Sequence, residues 1–331
     1  MANAASNERL LEVRGLQTVF FTGGESVRAV DGVDLVLDQG KALGLVGESG
    51  CGKSVLARSL LRLVPPPGRI VAGEVRFKGQ DLLAKTETEM RRLRGRELAI
   101  VLQDPLTTLN PSLTVGWQIA EPLYVHGVAR GRRTLRDRAV ELMEAVRIPS
   151  ARDRSTQYPH EFSGGMRQRA VIAAALACRP SLLICDEPTT ALDVTTQAEI
   201  LDLLREIQAR DGTAILLISH DVAVVGRLCD RLAVMYAGRL VELGPTREVL
   251  TDPQHPYTQG LLACVPRVGV RRPVEPISGE APHPARLPAG CKFHPRCPLV
   301  QPRCREAEPR LFDLGGGRLG RCVLLEGKAS G

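Results

Sequence analysis

The stretch "ALGLVGESGCGKSVLARSLLRLV", residues 42–64, decides the fold. A short apolar run leads into a glycine-rich turn. The turn leads into a segment in which Val55, Leu56, Ser59, Leu60 and Val64 recur at helical spacing. Strand, loop and helix in that order are what a phosphate-binding loop requires, and Gly47, Gly52, Lys53 and Ser54 fill every fixed position of G-x-x-x-x-G-K-[ST]. Across Gly47, Glu48, Ser49, Gly50, Cys51 and Gly52 the backbone N–H groups can converge on phosphate oxygens. Lys53 then sets a cation against the β and γ oxygens, and Ser54 offers a hydroxyl to Mg²⁺. The loop therefore predicts binding of ATP with Mg²⁺.

Working outward, "LLEVRGLQTVFF", a "TGGES" turn and "AVDGVDLVL" read as antiparallel strands joined by a hairpin, and "GEVRFKGQDL" adds short strands. The segment from about 104 to 178 reads as mostly helical, with Leu135, Ala139, Leu142, Met143 and Val146 on one face and Pro149 ending the pattern. "SLLICDEP" and "TAILLISH" are apolar runs that end in polar residues, the signature of buried parallel strands presenting side chains at their carboxyl ends. Between them "TTQAEILDLLREIQARDG" reads as an amphipathic helix stopped by glycine. The fold class is α/β: a parallel-sheet core with an antiparallel β lobe and a helical subdomain. No internal repeat of 20 to 50 residues is visible. After about Cys264, prolines and glycines forbid long regular elements, so residues 1–262 form the main domain and 263–331 an extension.

Three further features carry chemistry. The apolar strand "LLICDEP" delivers Asp186, suited to holding Mg²⁺ through water, and Glu187, suited to polarising the water that attacks the γ-phosphate. Gln103 in "VLQDP" follows another apolar run and offers an uncharged amide to Mg²⁺ or to that water, while His220 closes "LLISH" within reach of the γ-phosphate. A second glycine turn, "EFSGGMRQR", opens a helix at Ser163, Gly164 and Gly165, and a helix N-terminus with free N–H groups is a ready anion site. Two phosphate sites in one chain suggest two ATPs or two chains.

Composition bounds the class. No apolar run approaches the roughly 18 to 20 residues that span a bilayer, and "MANAASNERLLEV" lacks a signal peptide's basic start and apolar middle. A cytosolic protein is expected, with any membrane role coming through a partner. The formal charge of +7 comes from arginines spread along the chain, which reads as a solvated surface rather than a nucleic-acid site. Nine cysteines in such a chain argue against a disulfide framework, and Cys51, Cys178, Cys185, Cys229 and Cys264 read as small core residues or spacers.

In content and order, "GESGCGKS", Gln103, "SGGMRQ", "CDEPTTALD" and His220 resemble the phosphate loop, Q-loop, signature, Walker B with D-loop, and switch histidine of the ATP-binding cassette ATPases. The resemblance covers about residues 8 to 262. It implies catalytic roles for Glu187, His220 and Gln103, and Mg²⁺ coordination by Ser54, Gln103 and Asp186. It also implies two cassettes meeting head to tail, so that Ser163, Gly164, Gly165, Met166 and Gln168 of one chain close over ATP held by the other, with Asp193 in the D-loop. Phe20 occupies the place where the family sets an aromatic against adenine; with Phe21 adjacent, either ring could be the core residue.

The finer match is to the ATPase subunits of bacterial dipeptide and oligopeptide importers, which include nickel and opine relatives; "HPYTQGLL" before a cysteine-bearing tail is its most discriminating part. That resemblance implies a second ATPase subunit, with a heterodimer favoured over a homodimer. It further implies two membrane permease subunits docking near "DPLTTLNPSLTVGWQIAEPL", an extracellular or periplasmic substrate-binding protein, and a place on the cytoplasmic face of the inner membrane. The rival class is a soluble cassette ATPase of translation or DNA repair, whose doubled cassette or long coiled-coil insertion is missing here.

Cys291, Cys297, Cys304 and Cys322, spaced C-x5-C-x6-C-x17-C, suit Zn²⁺ or an iron–sulfur cluster, with unligated thiols as the third possibility. The absence of a C-x2-C pair leans toward a cluster, and related importer ATPases carry a similar tail that binds [4Fe-4S]. His294 is expected beside the site or at the surface.

Overall fold

In the computed structural model of this chain, residues 9–190, 192–265 and 277–328 are described. Residues 1–8, on which the expectation about a leader rests, and 266–276, part of the proline-rich stretch, lie outside them. The chain forms two compact units, one built around Ala84–Ile218 and the other around Leu11–Val36, Ala42–Leu83 and Ser219–Gly331.

The elements begin with β1 (Arg9–Thr22), β2 (Glu25–Asp38), β3 (Ala42–Val46), α1 (Lys53–Leu60), β4 (Gly68–Phe77), β5 (Gln80–Asp81), α2 (Glu87–Leu93) and β6 (Leu98–Val101). Five helices follow: α3 (Pro105–Thr108), α4 (Val115–Val125), α5 (Arg132–Ala145), α6 (Ala151–Arg154) and α7 (Gly164–Leu176). The rest of the cassette comprises β7 (Leu182–Asp186), α8 (Val194–Asp211), β8 (Ala214–Ser219), α9 (Val222–Leu228), β9 (Arg231–Tyr236) and β10 (Arg239–Pro245). Last come α10 (Thr246–Thr251), α11 (Pro256–Ala263), β11 (Phe312–Asp313) and β12 (Leu319–Gly320).

In the first unit β6, β7 and β8 run parallel, with Ile100 opposite Ile184 and Ile184 opposite Leu216. Every residue of β7 and β8 is buried. Strands covered on both faces need continuous apolar runs, which is why these segments show no alternation. The stretch from α3 to α7 is helical, as the spacing predicts, and Leu135, Ala139 and Met143 are buried on one face of α5. Gly212 ends α8 in the left-handed conformation at φ 67°, the glycine stop read from the sequence. The arginine-rich surface is partly paired: Arg94 meets Glu87, and Arg169 joins Glu199 to the carbonyl of Val146.

In the second unit β3 and β9 are parallel, and β10 pairs β9 antiparallel. A separate four-stranded sheet runs in the order β2-β1-β4-β5, with β4 antiparallel to both β1 and β5. Within the described residues 277–328 the tail is short turns, 3-10 turns and two-residue strands, as its prolines require. It is not without a core, however: β12 adds to β10, and Phe312, Cys322 and Leu325 form a small buried cluster. The sequence reading missed this because no single stretch of the tail is apolar; the cluster gathers residues from separate turns.

Candidate functional site

The phosphate loop leaves β3 and enters α1 through tight backbone. A Cβ on Gly47 would collide with the Met235 carbonyl oxygen, and one on Gly52 with that of Ala29. Gly52 also lies at φ 107°, so this position demands glycine twice over. Lys53 is buried, and its ammonium donates to the carbonyls of Gly47 at 2.8 Å and Glu48 at 3.0 Å, which places the cation inside the loop. Burial pushes the Cys51 thiol up despite Lys53 beside it, so it stays uncharged and adds no repulsion toward an anion. Ser54 is the second residue of α1, while Ser49 and Gly50 are exposed at the loop's tip. Phe20 is half-buried, its ring against Gly68, and Phe21 is exposed. His220 follows β8 and is exposed.

In the first unit Asp186, 2 % exposed, ends β7, and Glu187 follows it. Glu187 sits at φ 51°, in the left-handed region, where its N–H donates to Ile218 O at 2.9 Å. Its carboxylate accepts from Gln103 Nε2 at 2.9 Å and from the Thr190 hydroxyl at 3.1 Å. The structure thus brings together two residues that the sequence separates by 84 positions. A carboxylate held by two neutral donors has a fixed direction, as a group that orients water must.

Ser163 caps α7, its hydroxyl accepting from Met166 N–H at 3.3 Å. Ser163 and Gly164 are exposed, and Gly165 and Met166 are half-buried. Gln168 departs from that group: it is 2 % exposed, so it turns into the protein rather than toward a second chain. Asp193 caps α8, and the N–H and hydroxyl of Thr196 hold its carboxyl below the usual range.

Cys291, Cys297, Cys304 and Cys322 line one narrow pocket with Phe293 and His255. Burial pushes the Cys291 thiol up to about 11 and raises Cys297 and Cys322 as well. His294 also lines the pocket, and its Nδ1 lies 3.0 Å from Cys291 O. Among the described residues no three metal-binding side chains stand at the spacing of a single ion. None of the nine cysteines, all among the described residues, is in a disulfide, and Cys51, Cys185 and Cys229 are buried as expected.

Within the second unit, two residues that sequence reasoning did not single out touch the phosphate loop, and a third supports one of them. Arg296 grips the Glu48 carboxylate, Tyr257 accepts its N–H, and Tyr236 packs beneath Arg296.

Comparison with known proteins places this architecture. Residues 30–190 match the family model described as ABC transporter, and residues 241–304 match the one described as oligopeptide/dipeptide transporter, C-terminal region. The chain is 47% identical to a Brucella melitensis protein named "Putative peptide import ATP-binding protein", over 96% of this chain and 98% of that one. This chain belongs to the ABC ATPases of oligopeptide/dipeptide importers. A Brucella abortus protein of the same name is 48% identical, over 95% of this chain and 94% of its own. Among solved structures, the dimeric ATP-binding cassette MJ0796 bound to ADP and phosphate superposes with a TM-score of 0.65 at 26% identity, covering 72% of this chain and 99% of that one. The cbiO1 protein of Clostridium perfringens, part of an ABC transporter complex, gives 0.62 at 25% identity, covering 74% and 92%. The match at 241–304 sets aside the soluble translation or repair ATPase. Among the described residues, no helix is long and apolar enough to cross a membrane.

Proposed function

We propose that this importer ATPase binds ATP·Mg²⁺ on its phosphate loop and hydrolyses it to drive dipeptides or oligopeptides through a membrane transporter. The observation that carries the reading is a complete ordered set of ATP-site groups in a chain whose tail matches the peptide-importer model. Lys53 neutralises charge on the β and γ oxygens, and Ser54 and Asp186 hold Mg²⁺. Glu187, oriented by Gln103, polarises the attacking water, and His220 contacts the γ-phosphate. Ser163, Gly164 and Gly165 close over the ATP of a second ATPase subunit, most simply in a heterodimer. The exposed apolar side chains Leu106, Trp117 and Tyr124 support docking of a membrane permease subunit on the helical stretch. The whole assembly then lies at the cytoplasmic face of the inner membrane with two permeases and an external binding protein. Glu187→Gln keeps the shape and hydrogen bonding of the site, so ATP still binds while turnover falls by about a hundredfold or more. Unchanged hydrolysis would overturn the assignment.

The four tail cysteines fit a [4Fe-4S] cluster better than Zn²⁺. Four thiols that line one pocket suit a group in which each thiolate binds its own iron, and their sequence spacing lacks the C-x2-C pair of a zinc ribbon. Such a group would add cross-linking order to a segment whose own apolar cluster is small. Anaerobically purified protein should be brown and carry about four irons per chain. Replacing any one of the four by Ser should remove both colour and iron. Colourless protein with one zinc per chain would select Zn²⁺ instead.

A further inference from the structure

Glu48, the second residue of the phosphate loop, is held from two sides by residues that lie far along the chain. Arg296 donates Nη1 to Glu48 Oε2 at 2.8 Å and Nη2 to Oε1 at 3.1 Å, a two-pronged ion pair. Its Nε donates to Ser278 O at 3.1 Å, the Tyr236 ring lies 5.9 Å from the guanidinium, and the side chain is 7 % exposed. This is a partly buried, two-pronged pair rather than a fully exposed surface contact of small consequence. On the backbone side, Glu48 N–H donates to the Tyr257 hydroxyl at 2.9 Å.

The two gripping residues share one foundation. Phe293 packs edge-on against Tyr236 at 5.2 Å and Tyr257 at 5.4 Å, and the two tyrosines stand 4.5 Å apart. Buried His255 accepts the Tyr257 N–H on Nδ1. Phe293 and Arg296 both belong to the tight turn bracketed by Cys291 and Cys297, where Arg296 N–H donates to Phe293 O. The turn that carries two of the cysteines is thus wedged against the loop that carries the phosphates. Nothing in phosphate binding itself requires this: position 48 is an unspecified position of the loop motif, and its side chain faces the tail.

We propose that Arg296 and Tyr257 are positioning residues for the phosphate loop, and that order in the tail sets nucleotide affinity through them. A loop fixed in its binding shape does not lose that freedom when ATP arrives, so loosening the grip weakens binding while leaving the chemistry of bound ATP intact. The proposal rests on the loop being the ATP site. It does not depend on which metal the cysteines hold.

The test is titration of the full-length chain with a fluorescent ATP analogue, together with turnover of the assembled transporter at saturating ATP. Arg296→Ala should raise Kd about fivefold or more, on the scale of a partly buried charge-assisted pair, with kcat within about twofold. Arg296→Lys, which keeps charge but loses the fork, should fall between. Combining Arg296→Ala with Glu48→Gln should weaken binding no further than Arg296→Ala alone, because the two act as one contact. Arg303→Ala breaks an exposed ion pair with Glu326 in the same tail and should leave Kd unchanged. If Arg296→Ala does not accumulate as folded protein, Tyr257→Phe removes only the hydroxyl and should still raise Kd about twofold or more. Unchanged Kd in the gripping variants, additive effects in the double variant, or an equal loss in Arg303→Ala would overturn the proposal. Retention of ATP by Lys53→Ala would instead overturn the reading of the loop.

Discussion

The chain contains two glycine turns that each open a helix, and the reasons for their glycines differ. At Gly47 and Gly52 the protein's own backbone forbids a side chain, because Met235 O and Ala29 O already occupy the space. At Gly164 the nearest atom to an added Cβ would be Leu192 Cδ2 at 3.9 Å, an ordinary contact, and the residue is exposed. The first turn is glycine-rich because of how this chain folds. At Gly164 the second turn's own fold scarcely requires glycine, which accords with the proposal that this turn closes over the ATP of a second subunit. That difference is what a phosphate site completed by a second subunit should look like in a single chain.

The largest expected effect tests the first half of the comparison. Gly52→Ala forces an L-residue to φ 107° against Ala29 O, so the loop must rebuild; ATP affinity should fall by about a hundredfold or more, with a lower melting temperature. Normal binding by this variant would erase the distinction between the turns. Next, Gly164→Ala should leave melting nearly unchanged and Ser163→Arg should cost only the α7 cap, about 1 kcal/mol, while ATP binding of the isolated chain stays nearly intact in both. Both should abolish ATP-driven dimer closure, which light scattering or size-exclusion chromatography with Glu187→Gln as background would report. Loss of ATP binding by the monomer would show that the turn serves its own chain. Gly165 lies between these cases, since its Cβ would stand 2.7 Å from Thr196 Cγ2. Gly165→Ala should therefore cost about 1 kcal/mol of stability, recovered by Thr196→Ser, which deletes that methyl.

The smallest effect concerns pH. Thr196 holds the Asp193 carboxyl below its ordinary value through the N–H and hydroxyl it donates. A carboxyl lowered on folding stabilises fully above the ordinary carboxylate range and loses that contribution as pH falls through its lowered value. Asp193→Asn keeps the cap acceptor without the charge. It should lower stability slightly at neutral pH and converge with the parent protein in acid, so that the acid limb of a stability–pH curve flattens.

Much of this was legible in the sequence, for a physical reason. The phosphate loop, the Asp186-Glu187 strand end and the signature turn are local features in which spacing and residue type carry the chemistry. The helices from α3 to α7 and the glycine stop at Gly212 were equally local. What escaped was long-range. The Arg296–Glu48 pair spans 248 positions, and its aromatic support joins Tyr236, Tyr257 and Phe293, each unremarked among its own neighbours. Gln168 was placed with the signature by resemblance to that motif, and in this chain it lies on the buried face of α7. The tail's small core was hidden because its apolar residues come from separate turns.

The left-handed backbone at Glu187 has a consequence for anyone who selects variants of this protein. An L-residue at φ 51° costs on the order of 1 kcal/mol, and glycine would relieve it. Glu187→Gly deletes the carboxylate that orients water, so at this position durability and work are opposed. A library sorted only for survival at high temperature would enrich ATPases that hold their nucleotide and never spend it, and any such screen needs a growth-on-peptide step to keep the transporter alive.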